Sequence, residues 1–100
     1  MRKVYICSRY AGDVLLNIKK AKRFSQQAYK EGYLPVCVHL FLNESTGLKE
    51  RKDRPKLLKL GLEFIDVCDE VWVFAIDGIS EGMRGEINYA REKGIKIRWR

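Results

Sequence analysis

The stretch VWVFAIDGISEGMRGEINYA, residues 71–90, decides the fold. It opens as an unbroken apolar run, VWVFAI, with the β-branched and aromatic character of a strand buried on both faces. Asp77 and Gly78 interrupt that run as turn formers. From Ser80 the period changes: Met83, Ile87 and Ala90 recur at about 100° per residue, the spacing of an amphipathic helix. Gly94 stands where such a helix stops. A buried strand running straight into a helix is half of a βαβ unit, and the rest of the chain repeats it.

Residues 3–8, KVYICS, read as a short buried strand, followed by the loop RYAGD. A helix is expected from the N-cap Asp13, with Ile18, Ala21, Ala28 and Tyr29 at helical spacing and Gly32 at its end. YLPVCVHL, residues 33–40, reads as a second strand that ends at His39 and Leu40, with Pro35 near its start. The polar, charged segment FLNESTGLKERKDR, residues 41–54, reads as a long loop or lid. Pro55 suits the first turn of a helix that carries Leu57, Leu58, Gly61, Leu62 and Ile65. IKIRW, residues 95–99, closes the series as a strand. The expectation is an α/β fold, a Rossmann-like three-layer sandwich with a mostly parallel sheet of four to five strands, built from right-handed βαβ units.

Composition bounds the remaining choices. One hundred residues, 46% hydrophobic and 33% charged, suit a single domain over residues 1–100. MRKVYICSRYAG holds too short an apolar run for a signal segment, and nothing approaches the roughly 18 apolar residues of a membrane span, so a cytoplasmic protein with no membrane partner is expected. Cys7, Cys37 and Cys68 each fall in an apolar stretch and read as buried reduced thiols. One histidine and no paired cysteine spacing leave a zinc site short of ligands, and neither a metal nor a cofactor is expected. The net charge of +7 points to an anionic partner or simply to a solvated basic surface, since the cations are spread along the chain.

In such folds ligands lie beyond the carboxyl ends of the strands. Ser80, as an N-cap, and Gly82, which lets a ligand approach the backbone, make the start of the last helix an anion site or an ordinary capped helix. Glu86 falls about 60° from Met83, at the border of the buried stripe. A border carboxylate is a solvated side chain with a buried stem, a partner for a cation, or a catalytic group. Asp77 lies at the functional end of its strand as a turn residue or a substrate contact, whereas Asp69 reads as a turn residue. His39 is the one side chain here whose ordinary titration lies near neutrality, and it is either structural or a proton donor. Arg51 and Arg54 can close over a phosphate or remain in a solvated loop. Trp72 is expected in the core or at a subunit contact, and Trp99 against another chain.

Taken together, VYICS and DEVWVFAIDGISEGMRGEINYAREKGIKI resemble the nucleoside 2-deoxyribosyltransferase-like superfamily over nearly the whole chain. The resemblance implies an N-glycosidase or deoxyribosyltransferase acting on a purine or pyrimidine deoxynucleotide. GMRGEINYA matches the superfamily's helix, which makes Glu86 the nucleophile at the anomeric carbon. Ser80, six residues earlier, matches the serine that holds a 5′-phosphate in nucleotide-hydrolysing members, and Tyr5 matches a tyrosine of the substrate loop. Ser8, Arg9 and Gly12, and with them Asp77, Gly82 and Met83, become expected substrate contacts. His39 could supply the proton that a family aspartate otherwise delivers, because Gly61 stands where that aspartate is sought and Asp66 is a turn too late. The resemblance also implies a dimer or larger homo-oligomer. The alternatives are a nucleotide-binding module without turnover and, on charge alone, a nucleic-acid-binding protein, although nucleic acid is not the expected partner.

Overall fold

The computed structural model describes residues 1–49 and 51–100. Among them the chain runs β1 (Lys3–Cys7), α1 (Val14–Lys30), β2 (Leu34–Val36), a 3-10 turn (Val38–Leu40), α2 (Leu42–Thr46), α3 (Arg54–Asp66), β3 (Glu70–Val73), α4 (Glu81–Glu92) and β4 (Lys96–Trp99). The four strands form one parallel sheet in the order β2-β1-β3-β4. Alternation along the central strands divides the core. Val4, Ile6 and Trp72 face α1 with Ala21 and Ala28, while Tyr5, Cys7, Val71 and Val73 face α3 and α4 with Ile65, Met83 and Ile87. The fold is therefore the expected α/β sandwich of three layers, with the sheet in the middle. No helix among the described residues is long and apolar enough to cross a membrane.

Several local expectations change. The face that α1 turns inward is Asn17, Ala21 and Ala28, whereas Tyr29 is 62% exposed. Asn17 is buried because its amide donates to the Tyr10 and Ala11 carbonyls, at 3.0 and 3.1 Å, and so shapes the loop after β1. The second strand stops at Val36, which puts His39 in the 3-10 turn rather than on a strand. β2 is an edge strand, which is why Pro35, lacking an N–H, is tolerated at its centre. The charged segment after Leu40 is not all loop. Leu42 is buried and anchors α2, which Gly47 closes in the left-handed conformation at φ 72°. Glu50, also in that segment, lies outside the described residues. The third strand pairs only as far as Val73, although Phe74 stays buried behind it.

At the amino end of the sheet the core contains a carboxylate, Glu70, only 2% exposed. Trp72 donates its indole N–H to Glu70 Oε1 at 3.0 Å, and Arg98 Nε stands 3.0 Å from the same oxygen. Tyr33 donates its hydroxyl to Oε2 at 3.4 Å. Burial pushes this carboxyl up, but the Trp72 bond and the charges of Arg98, Lys96 and Arg2 outweigh burial and hold it below its usual range. Glu70→Ala should therefore cost about 2 kcal/mol in urea denaturation, because it leaves the buried Trp72 N–H unpaired. Glu70→Gln, which still accepts that bond, should cost less. Equal costs for the two variants would show that the indole bond contributes little.

Candidate functional site

The sheet order places the crossovers from β1 and from β2 on opposite faces, so β1 and β3 flank a switch point. The residues just past their carboxyl ends, with the first turns of α4, bound a cleft. α4 starts where the sequence says it should: Ser80 is the N-cap, its Oγ accepting from the Met83 amide at 3.2 Å. The other first-turn amides of a helix have no intrahelical acceptor, so this end carries partial positive charge.

Glu86, on the second turn of α4, is 7% exposed and answers the question of the border carboxylate. Tyr5, from the centre of β1, donates its phenol to Glu86 Oε2. The Cys7 thiol, one strand period further on, is also beside the carboxylate. Burial drives the Glu86 carboxyl up to about 7, with the bonds from Tyr5 and Cys7 pulling the other way. Burial, then the charge of Glu86, also raises Tyr5 and Cys7 well above their usual values, so both remain donors.

Two small cavities of about 40 Å³ each meet at Glu86 and share His39, Arg54 and Leu58 as walls. One extends to Ser8, Ser80, Gly82 and Met83, under the start of α4. The other extends between α2 and α3 to Leu42, Asn43 and Gly61. An open groove of about 520 Å³ between α3 and α4 also reaches Glu86, past Leu58 and Gly82. A Cβ at Gly82 would stand 3.5 Å from Arg54 Nη2, which places that guanidinium over the first turn of α4.

Ser8 is buried, and its hydroxyl has no hydrogen-bond partner among the described residues while it lines the arm under α4. A buried hydroxyl without a partner is costly, and Ser8 carries one in the wall of a cavity beside a helix N-terminus. His39 Nε2 lies 2.9 Å from the Ser8 carbonyl. A carbonyl only accepts, so Nε2 carries the proton. The His39 ring packs against Tyr10 at 4.9 Å between centroids.

The cleft therefore gathers Tyr5, Ser8, His39, Ser80, Gly82, Met83 and Glu86. Three expected contacts stand elsewhere. Asp77 is drawn out by Lys20, their charged atoms 2.5 Å apart, and Arg9 donates to the Asp77 carbonyl at 3.2 Å. Gly12 sits in the loop at φ 100°, with no atom of the described residues within 4 Å of a built Cβ. Each of these loops is pinned by α1 or by its neighbour loop rather than turned toward Glu86. Of the two arginines weighed from the sequence, Arg54 lines the cleft. Asp66 accepts the Tyr89 hydroxyl at 2.7 Å, and Asp69 accepts the Lys3 amide at 2.7 Å as a turn residue. Tyr10 and Leu58 line the cleft without having been singled out as site residues. Leu58, 40% exposed in a helix of otherwise inward leucines, could have been found only as a break in that pattern.

No curated protein and no solved structure matches the chain. A family match covers residues 2–100, and the chain belongs to that family, a domain of unknown function designated DUF7768.

Proposed function

We infer that the protein cleaves the N-glycosidic bond of a nucleotide, or transfers its sugar, with Glu86 as the nucleophile. The observation that carries this reading is a carboxylate held by a neutral donor on the floor of a cleft, one helical turn from an anion-favouring helix N-terminus. Breaking a bond between an anomeric carbon and a base nitrogen develops positive charge on the sugar. A buried carboxylate stabilises that charge strongly, because little water screens it.

In the proposed reaction an oxygen of Glu86 bonds to C1′ while the bond from C1′ to the base nitrogen breaks, its electron pair leaving with the base. The base takes a proton from His39. With Nε2–H committed to the Ser8 carbonyl, that proton comes from Nδ1 of the imidazolium form. Water then displaces the sugar from Glu86 in hydrolysis, giving its proton to the now neutral His39 as the C1′–oxygen bond to Glu86 breaks, and a second base displaces the sugar in transfer, its proton going the same way. The 5′-phosphate is read by Ser80, the Ser8 hydroxyl and the first turn of α4, with Arg54 supplying a full charge. Tyr5 is a positioning residue: its bond to one carboxylate oxygen leaves the other to react.

Purified protein incubated with nucleoside 5′-monophosphates should release free base, followed by chromatography, and Glu86→Gln should lower the rate by at least about a thousandfold. A wild-type protein that binds the nucleotides but releases no base would overturn the reading and favour a binding module. In His39→Gln, where loss of the imidazolium no longer opposes it, the residual rate should climb with pH through about 7 as Glu86 ionises. A profile that is flat from pH 5 to 8 would remove Glu86 from the rate-determining step.

The same shift sets a stability effect. The folded-state value of Glu86, about 7, lies above that of an unfolded glutamate, so its contribution is fully present below about pH 4.5 and is lost as pH rises through 7. Glu86→Gln keeps an acceptor for Tyr5 without the charge. It should raise stability by about 3 kcal/mol at pH 8, and the gain should vanish near pH 4.5. A gain independent of pH would show that the carboxylate is not destabilised by burial.

A further inference from the structure

Gly61 is buried in the middle of α3, where glycine is the poorest helix former short of proline. A Cβ there would stand 3.2 Å from Tyr5 Oη and 3.4 Å from Glu86 Oε2. The absent side chain leaves open part of the cavity of about 40 Å³ whose walls include Glu86, His39, Leu57 and Asn43. Such a space holds little more than one hydroxyl group, since a water molecule occupies about 30 Å³ of the liquid. It adjoins the Glu86 carboxyl and has no occupant among the described residues.

The geometry of attack says what falls there. Glu86 Oε2 accepts from Tyr5 and faces Gly61, which leaves Oε1 to bond C1′. A carboxylate bound to C1′ through one oxygen carries its other oxygen alongside C2′. The nucleophile approaches a β-nucleotide from the face opposite the base, and the 2′-hydroxyl of ribose lies on that same face. It therefore points at the carboxylate and needs room beside Oε2.

We propose that the space beside Gly61 receives the 2′-hydroxyl of the substrate, and that the substrates are ribonucleotides rather than 2′-deoxyribonucleotides. The inference rests on Glu86 acting at C1′. The hydroxyl donates to Oε2, whose second lone pair remains available beside the one Tyr5 uses. No proton moves in that contact. Hydrogen bonds to this hydroxyl strengthen as the sugar becomes cationic, so recognition and rate gain together. A side chain at position 61 would fill the space and remove the distinction between the two sugars.

Deoxyribosides break faster than ribosides without any catalyst, so binding of unreactive sugars gives the direct test. Calorimetry with ribose 5-phosphate and with 2-deoxyribose 5-phosphate should show the ribose compound binding wild type about tenfold more tightly, the effect of one hydrogen bond to a charged group. Gly61→Ala, whose Cβ also crowds the Tyr5–Glu86 pair, should abolish the difference between the two sugars. Equal affinities, or a preference for the deoxy sugar, in wild type would overturn the proposal, and so would an unchanged preference in a folded Gly61→Ala protein. The wild-type comparison decides by itself if that variant does not fold. Base release from ribo- and deoxyribonucleoside monophosphates is measured beside it. Release without a sugar preference in binding sinks the 2′-hydroxyl site alone, whereas no release from any nucleotide sinks the glycosidic reading and this inference with it.

Discussion

The hydrogen bond from Tyr5 to Glu86 is the constraint on which the arrangement depends. It joins the middle of β1, one of the two inner strands, to the second turn of α4 through residues 81 positions apart in the chain. A carboxylate in the core without a donor would cost several kcal/mol, so α4 can present Glu86 inward only where β1 offers a polar atom. Tyr5 is that atom's source because alternation along β1 sends residues 5 and 7 to the α4 side while Val4 and Ile6 go to α1. The phenol in turn restricts α3. With Oη 3.2 Å from a built Cβ at position 61, any side chain there must crowd the pair.

Two buried carboxylates in one small core make the role of environment plain. Glu70 meets an indole N–H and two arginines, and it is held ionised at the amino end of the sheet. Glu86 meets a phenol and a thiol, neutral donors both, and burial prevails. Full compensation makes the first a structural group that fixes Trp72 and the end of β4. Partial compensation leaves the second close to neutrality in its titration, a perturbation of the kind that clusters at functional sites.

Much of this was legible in the sequence, and for identifiable reasons. The strands and the long helices follow from period alone, and Asp13 and Ser80 cap α1 and α4 because serine and aspartate at a change of period leave little choice. The border position of Glu86 was legible too. Its partner was not, since nothing local to Tyr5 says which helix will lie across β1. The run YLPVCVHL reads as one strand because all its members are apolar or strand-tolerant. Only the edge position of β2, a tertiary fact, shows that the ladder ends at Val36. α2 was hidden in a charged segment because a five-residue helix has too few turns to show a period. Arg9 and Asp77 lie at the right ends of their strands, yet the sequence gives no sign that Lys20 and the neighbouring loop claim them.

What local rules disfavour here is concentrated in one place. A glycine in mid-helix costs about 1 kcal/mol relative to alanine, and a desolvated carboxylate costs more. A buried serine hydroxyl without a partner adds to both. Two of them could be relieved by a single substitution compatible with the surrounding elements, glutamine in α4 and alanine after β1, whereas a Cβ in α3 would crowd the Tyr5–Glu86 pair. Scattered through a core, such features would be ordinary imperfections. Gly61 and Glu86 wall one cavity, Ser8 and Glu86 wall the other, and His39 and Arg54 wall both. The Tyr5–Glu86 pair itself keeps position 61 bare, but packing gives no reason for the other two losses to meet around one carboxylate, whereas a ligand that supplies the missing contacts when bound would give one for both.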